Sequence, residues 1–349
     1  MRVAVVKCVD YLWSRITPAH LLLIPLSWIF FFICKIRRAI LTTRQVKLPI
    51  PVIVVGNISV GGNGKTTLVI ALAKILTQRG YKVGIITRGY KRRYPKTTIL
   101  VNHQMDPAII GDEACMMWNQ CKCLIGVSSD RNRAAKLLCE ADCQLILSDD
   151  GLQRYDFYRD IEIAVSSEQA LGNKCLLPAG PLRERESRVD QCTHTINLVG
   201  NDKPSQVHDR ERTMHYEVCS IDRLDGQQTF SMNDFPKDKP YRAICALGNA
   251  QGFFNLLRAH ALMIETTNLP DHDVISEKEL EDNGKDIMIS EKDAVKLSQH
   301  KHIKHIWVVK VKPVICTKSL RQIIDSIESK LTDHKQANEK NTHKAIETL

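Results

Sequence analysis

The run from Ser59 to Thr66, SVGGNGKT, has residue types suited to holding phosphate. Gly61, Gly62 and Gly64 lack a Cβ, so the amides of this stretch, Val60 and Asn63 among them, can close around an anion. Lys65 would reach the β- and γ-phosphates of a nucleotide, and the Thr66 hydroxyl would ligate Mg2+. The usual pattern G-x4-G-K-[ST] places a glycine where this chain has Ser59. An ordinary strand-turn-helix corner would also use glycines, but the Gly-Lys-Thr core favours the phosphate loop.

Further candidates are spread along the chain. Asp149 and Asp150 follow the apolar run 144–147. In a P-loop enzyme an acid at such a strand end holds Mg2+, although paired aspartates also serve as turn and cap residues. Arg183 and Glu184 close the loop Leu177-Pro-Ala-Gly-Pro-Leu-Arg-Glu184. Arginine suits a phosphate and glutamate a metal, and on chemistry alone a surface turn fits this loop equally well. Asp271-His272 places a histidine beside a carboxylate, which orients it and raises its basicity. A lone pair of this kind is more often structural. Asp112-Glu113, after Gly111, reads first as a helix start with an acidic first turn.

These residues need elements to position them. The β-branched run 50–55 precedes the phosphate loop, and residues 67–80 follow with apolar side chains at helical spacing. Runs 81–86, 144–147 and 161–165 read as strands, and 112–120 and 131–140 as helices between them. Alternation of this kind predicts a mostly parallel sheet flanked by helices, with ligands at the carboxyl ends of its strands. A polar connector with short strands is expected over 201–236. A smaller α/β unit follows, with strands at 243–247, 287–289 and 306–309 and helices over 251–261 and from Ser290. The expected division is a membrane-associated helical segment over 1–49, a P-loop domain over 50–236, a smaller α/β domain over 237–332 and a frayed polar tail over 333–349.

Bulk properties bound the partners. The chain has 349 residues, 44% of them hydrophobic and 25% charged, which is the balance of a globular protein. A formal charge of +10 favours an anionic partner: nucleotide, phospholipid surface or nucleic acid. The 12 cysteines show neither disulfide nor zinc spacing, which predicts a reduced protein facing the cytosol. Leu21 to Cys34 is apolar apart from Ser27, and Lys35, Arg37 and Arg38 follow at once. The run is shorter than the ~20 residues of a spanning helix. Its aromatics and basic flank suit a helix in an anionic membrane face, the alternative being a buried core helix.

Taken together, the chain resembles the tetraacyldisaccharide 4'-kinases of lipid A synthesis. The resemblance runs from about Leu21 to Val309. It is carried by VVGNISVGGNGKT (54–66), TRGY (87–90), GDE (111–113), SDDGLQ (148–153), RDIEI (159–163), LPAGPLRE (177–184), DH (271–272) and SEKDAVK (290–296), in the family's order. The family accepts serine at position 59. What the resemblance implies is a P-loop NTPase-like fold with an N-terminal membrane-associated helix. It implies transfer of phosphate from ATP, with Mg2+, to the 4'-hydroxyl of an acylated glucosamine disaccharide 1-phosphate, giving lipid IVA at the cytoplasmic face of the inner membrane. Nucleic acid is not an implied partner. By the same resemblance Asp112 pairs with His272 as the base; Lys65 keeps the phosphate role argued above, and Arg183 is a candidate for the phosphates by its chemistry. Thr66, Glu113, Asp149, Asp150 and Glu184 surround the metal. Three positions depart from the family: Arg154 replaces a histidine, Lys91-Arg92 replace two glycines, and Ala114 replaces a proline. None is a proposed catalytic group. Two other readings share the loop and need no DH base: an ATPase coupled to a conformational change at the membrane, and a non-catalytic nucleotide-binding module.

Overall fold

The computed structural model describes residues 9, 11–18, 20–61, 64–90, 92–200, 211–270, 273–297, 300 and 302–346. Gly62, Asn63, Lys91, Asp271 and His272 therefore lie outside the described residues.

The chain alternates helix and strand as its hydrophobic pattern predicts. Helix α1 (His20–Thr42) leads into β1 (Val52–Gly56), the phosphate loop and α2 (Lys65–Gln78). Then come β2 (Val83–Thr87), β3 (Ile99–Val101), α3 (Asp112–Cys121), β4 (Leu124–Val127), α4 (Arg131–Glu140), β5 (Leu145–Asp149) and β6 (Ile161–Ser166). The chain continues through β7 (His194–Leu198), β8 (Thr213–Arg223) and β9 (Thr229–Phe230). Its last part holds β10 (Tyr241–Cys245), α5 (Ala250–Ala259), β11 (Ile264–Asn268), β12 (Ile287–Ser290), α6 (Glu291–Lys296), β13 (Ile306–Ile315) and α7 (Thr317–Ile346).

Among the described residues these strands form one 13-stranded sheet, in the order β11-β10-β12-β13-β8-β7-β6-β1-β5-β2-β4-β3, with β9 beside β8. It is mostly parallel; β3 on β4, β9 on β8 and β13 on β8 run antiparallel. Strand β1 lies between β5 and β6 and is buried along its whole length, which is why it reads as a continuous apolar run. Separate apolar clusters cover the two faces of the first half, and another two cover the second half.

Two elements differ from the pattern reading. The polar connector contains β8, an 11-residue strand that pairs along β13 and joins the two halves. Its sequence TMHYEVCSIDR mixes polar and apolar residues, and most positions from Tyr216 onward are only partly buried. The polar tail continues helix α7 instead of fraying. Ile323, Ile324 and Ile327 bury one side of α7, His334 Nε2 lies 2.9 Å from Asp160, and Asn338 donates to the Pro49 carbonyl at 3.0 Å.

The N-terminal apolar run forms a helix, and no helix among the described residues is long and apolar enough to cross a membrane. One side of α1 docks on the loop 173–182. Ser27 Oγ bridges the Leu176 carbonyl (2.9 Å) and the Ala179 amide (3.2 Å), and Asn173 meets His20 at 2.9 Å. The rest of α1 leaves Leu22, Trp28, Ile29, Phe32, Ile33 and Ile36 exposed.

Candidate active site

In the β1–β5 register Val55 lies opposite Asp149. The phosphate loop and the paired aspartates therefore leave the sheet side by side, at the carboxyl ends of neighbouring strands. Helix α2 begins at Lys65 behind Gly64, which sits at φ +79°. A Cβ on Gly64 would come within 2.8 Å of both Met214 and Tyr216, so both conformation and space require glycine. Ser59 has no such constraint. It is buried in a short bridge to Leu182 and is not among the positive-φ residues, so the glycine of the usual pattern is not needed there. The Val60 amide donates to the Pro181 carbonyl at 2.9 Å, and the Arg183 amide to the Ile58 carbonyl at 2.6 Å. The loop 177–184 is thereby laced to the phosphate loop, and Arg183 is delivered to the site.

The ionic groups follow from this frame. Lys65 Nζ donates to the Gly61 carbonyl at 3.2 Å and lies 3.5 Å from Asp150. Arg183 lies 3.5 Å from the same carboxylate and 3.3 Å from Gln153. Burial alone would raise the Asp150 carboxyl, but Lys65 and Arg183 outweigh it and hold it below the usual range. Thr66 Oγ1 donates to Asp149 Oδ2 at 3.0 Å, while the buried Asp149 Oδ1 has no hydrogen-bond partner. Burial, then the charges of Glu113 and Asp150, push the Asp149 carboxyl well above its ordinary value. A buried acid with an orphaned oxygen beside a threonine hydroxyl is a donor set that fits Mg2+. That ion keeps several waters and takes few protein ligands, so one carboxylate and one hydroxyl are enough beside phosphate oxygens.

Glu113 stands in the first turn of α3 and lines the same cleft of about 1720 Å³, beside Lys65, Thr66, Asp149 and Asp150. Asp112 precedes it at the head of α3, after Gly111 at φ +91°. Glu184 is placed differently from the metal expectation. Its carboxylate receives Gln153 Nε2 at 2.8 Å and the Tyr155 hydroxyl, with Arg188 Nε at 3.6 Å. It thus braces the wall of the cleft behind Arg183 and Gln153. Asp271 and His272 are outside the described residues, but their neighbours are anchored. The Leu269 amide donates to Cys245 at the end of β10, and Lys296 Nζ donates to the Asp273 carbonyl at 2.9 Å.

Sequence reasoning missed Arg131. It opens α4 behind the cap Asp130 and is almost fully buried, with Nη2 donating to the Asp149 carbonyl at 2.8 Å. Its Nη1 has no partner, and the side chain lines the cleft. Burial lowers this guanidinium to about 10, with Asp149 and Asp150 opposing the shift, so it stays charged at neutral pH. A desolvated cation with an unpartnered N–H beside the cleft suits a phosphate oxygen. Arg154, where the resemblance expects histidine, pairs with Asp156 at 2.8 Å and also lines the cleft. Arg92 is buried, with hydrogen bonds to the carbonyls of Val127, Pro95 and Thr97. It fixes a turn that glycines would leave free.

Comparison with known proteins is consistent with this geometry. The family model for tetraacyldisaccharide-1-P 4'-kinase matches residues 19–329. The tetraacyldisaccharide 4'-kinase of Pasteurella multocida is 36% identical over 89% of this chain and 96% of its own. That of Blochmanniella pennsylvanica is 32% identical over 93% of this chain and 97% of its own. The crystal structure of LpxK from Aquifex aeolicus in complex with ATP superposes with a TM-score of 0.70 at 25% identity, covering 88% of this chain and 98% of that one. The chain belongs to the tetraacyldisaccharide-1-P 4'-kinase family.

Proposed function

We propose that this chain transfers the γ-phosphate of ATP to the 4'-hydroxyl of a tetraacylated glucosamine disaccharide 1-phosphate at the cytoplasmic face of the inner membrane. The observation that carries the reading is the Thr66–Asp149 pair at 3.0 Å with Asp149 Oδ1 unpartnered, beside Lys65. Thr66 and Asp149 would hold Mg2+, with Asp150 and Glu113 in the surrounding charge, and the ion would neutralise charge on the transferring phosphate. The loop amides from Ser59 to Gly64 cradle the phosphates, and Lys65, Arg183 and Arg131 meet their oxygens. Asp112 and His272 act as the base. As the sugar oxygen bonds to phosphorus and the bond to ADP breaks, the hydroxyl proton passes to His272, with Asp112 orienting the imidazole.

The exposed apolar side of α1 supports docking on a lipid surface, where the substrate's acyl chains remain. Its other side reaches the site: Arg37 donates to the Gln153 carbonyl at 3.4 Å.

The test is transfer from γ-labelled ATP to detergent-dispersed tetraacyl disaccharide 1-phosphate, with Mg2+ and with EDTA. Mg2+-dependent labelling of the lipid is expected, and Asp112→Ala and His272→Ala should each cut turnover by about 10²-fold while ATP binding persists. ATP hydrolysis without labelled lipid would favour the conformational ATPase. Near-normal turnover in both variants would remove the base assignment.

A further inference from the structure

The cleft gathers carboxylates from several elements, and their cations are unevenly distributed. Lys65 and Arg183 both serve Asp150, and Arg131 meets the backbone of Asp149. Glu113 has its ion pair with Lys292, whose Nζ lies 3.7 Å from Glu113 Oε1. Lys292 belongs to α6, in the other half of the sheet, yet its side chain is only 16% exposed and lines the same cleft.

We infer that Lys292 is a positioning residue for phosphoryl transfer: it holds the Glu113 carboxylate across the cleft and so fixes the first turn of α3, which carries Asp112. The inference rests on the kinase reading above. Three observations support it. First, α6 is held firmly, with Ser290 capping it and its buried Asp293 receiving the Ser290 hydroxyl at 2.7 Å. Second, α6 also grips the far end of α3, where Gln120 donates to Glu291 at 2.9 Å. One polar link at the first turn of α3 and one at its last turn fix its direction and its rotation. Third, Glu113 and Lys292 both line the cleft, one from each half of the sheet, so their ion pair spans it. A half-buried pair of this kind is screened less by salt than an exposed one.

The experiment compares Lys292→Met, Lys292→Arg, Glu113→Gln and the double variant Lys292→Met/Glu113→Gln in the full chain, using the labelled-phosphate assay above. Lys292→Met should lower kcat by about tenfold with the KM for ATP changed less than about twofold, and Lys292→Arg should restore most of the rate. In the Glu113→Gln background the same lysine change should cost less than about twofold, because this ion pair is already gone. Equal losses in both backgrounds, or a loss confined to the KM for ATP, would mean that Lys292 acts on the nucleotide itself and would overturn the inference. So would a wild-type rate in Lys292→Met. Amide hydrogen exchange gives a second readout that needs no substrate. Lys292→Met should speed exchange in the first two turns of α3 and leave α4 unchanged; unchanged exchange in α3 would overturn the inference. If wild-type protein labels no lipid, the kinase reading fails on its own, and the exchange result still decides the role of Lys292.

Discussion

In the proposed Mg2+–nucleotide complex Asp149 would be stabilising, while its burial as a carboxylate destabilises the free protein. Its folded value lies above its unfolded one, so in the free protein the native state binds more protons than the unfolded state between the two. Its contribution to stability is therefore least unfavourable below the ordinary carboxylate range and falls as pH rises through the shifted value. Asp149→Asn removes that cost. The variant should unfold about 3 °C higher than wild type at pH 8, with a smaller gain at pH 5, and should lose turnover and Mg2+-dependent stabilisation by ATP. A lower melting temperature at pH 8 would show that another cation already satisfies Asp149. Lys65, Thr66, Asp149 and Asp150 were legible in the sequence because each sits at a fixed distance from a strand end or a glycine loop. Arg131 was not. An arginine after a capping aspartate looks like any first-turn residue, and only the fold brings it beneath Asp149. The bracing role of Glu184 was equally hidden, since its partners Gln153, Tyr155 and Arg188 come from turns that no local pattern joins to it.

Elements were legible where burial is one-sided or complete. Strand β1 and helices α2, α3 and α4 follow their apolar runs to within two residues, because the sheet or its covering helices dictate the pattern. Strand β8 was obscured because its pairing with β13 is long-range and Glu217, Ser220 and Asp222 interrupt its apolar pattern. Helix α7 was obscured because its polar end is held by single side-chain contacts, His334 with Asp160 and Asn338 with Pro49. The start of α6 was legible from its cap, but not what the cap supports. Asp293 is fully buried and accepts from the Ser290 hydroxyl (2.7 Å) and the Ala246 amide (3.3 Å), with Lys296 3.5 Å away. Lys296 in turn holds the Asp273 carbonyl, next to the DH pair. Asp293→Ala strands a hydroxyl, an amide and a nearly buried ammonium together. It should cost about 3 kcal/mol in urea unfolding, with Asp293→Asn costing less. A loss below about 1 kcal/mol would show that water or rearrangement satisfies these groups.

At the scale of the whole molecule, the question is how a water-soluble nucleotide and a lipid-borne hydroxyl reach one cleft. Under the proposed docking on lipid, helix α1 would connect the two. Ser27 is bonded to the loop that continues into Arg183, and Arg37 to the turn that follows Asp150, while Trp28, Phe32 and Ile36 line one exposed stripe four residues apart. Replacing these three with serine leaves Ser27, His20 and Arg37 in place, so the cleft should keep its shape. Fully burying each apolar side chain is worth about 1.5–3 kcal/mol, and even a fraction of that over three residues gives more than tenfold in affinity. The triple variant should therefore bind vesicles of zwitterionic and anionic lipid at least about tenfold more weakly than wild type. It should phosphorylate detergent-dispersed substrate at a near-normal kcat and vesicle-borne substrate with a raised KM. Equal losses on both substrates would mean that α1 shapes the cleft, not the encounter with lipid. Unchanged vesicle binding would move the contact elsewhere, to the basic surface implied by a net charge of +10, and binding should then fall steeply with added salt.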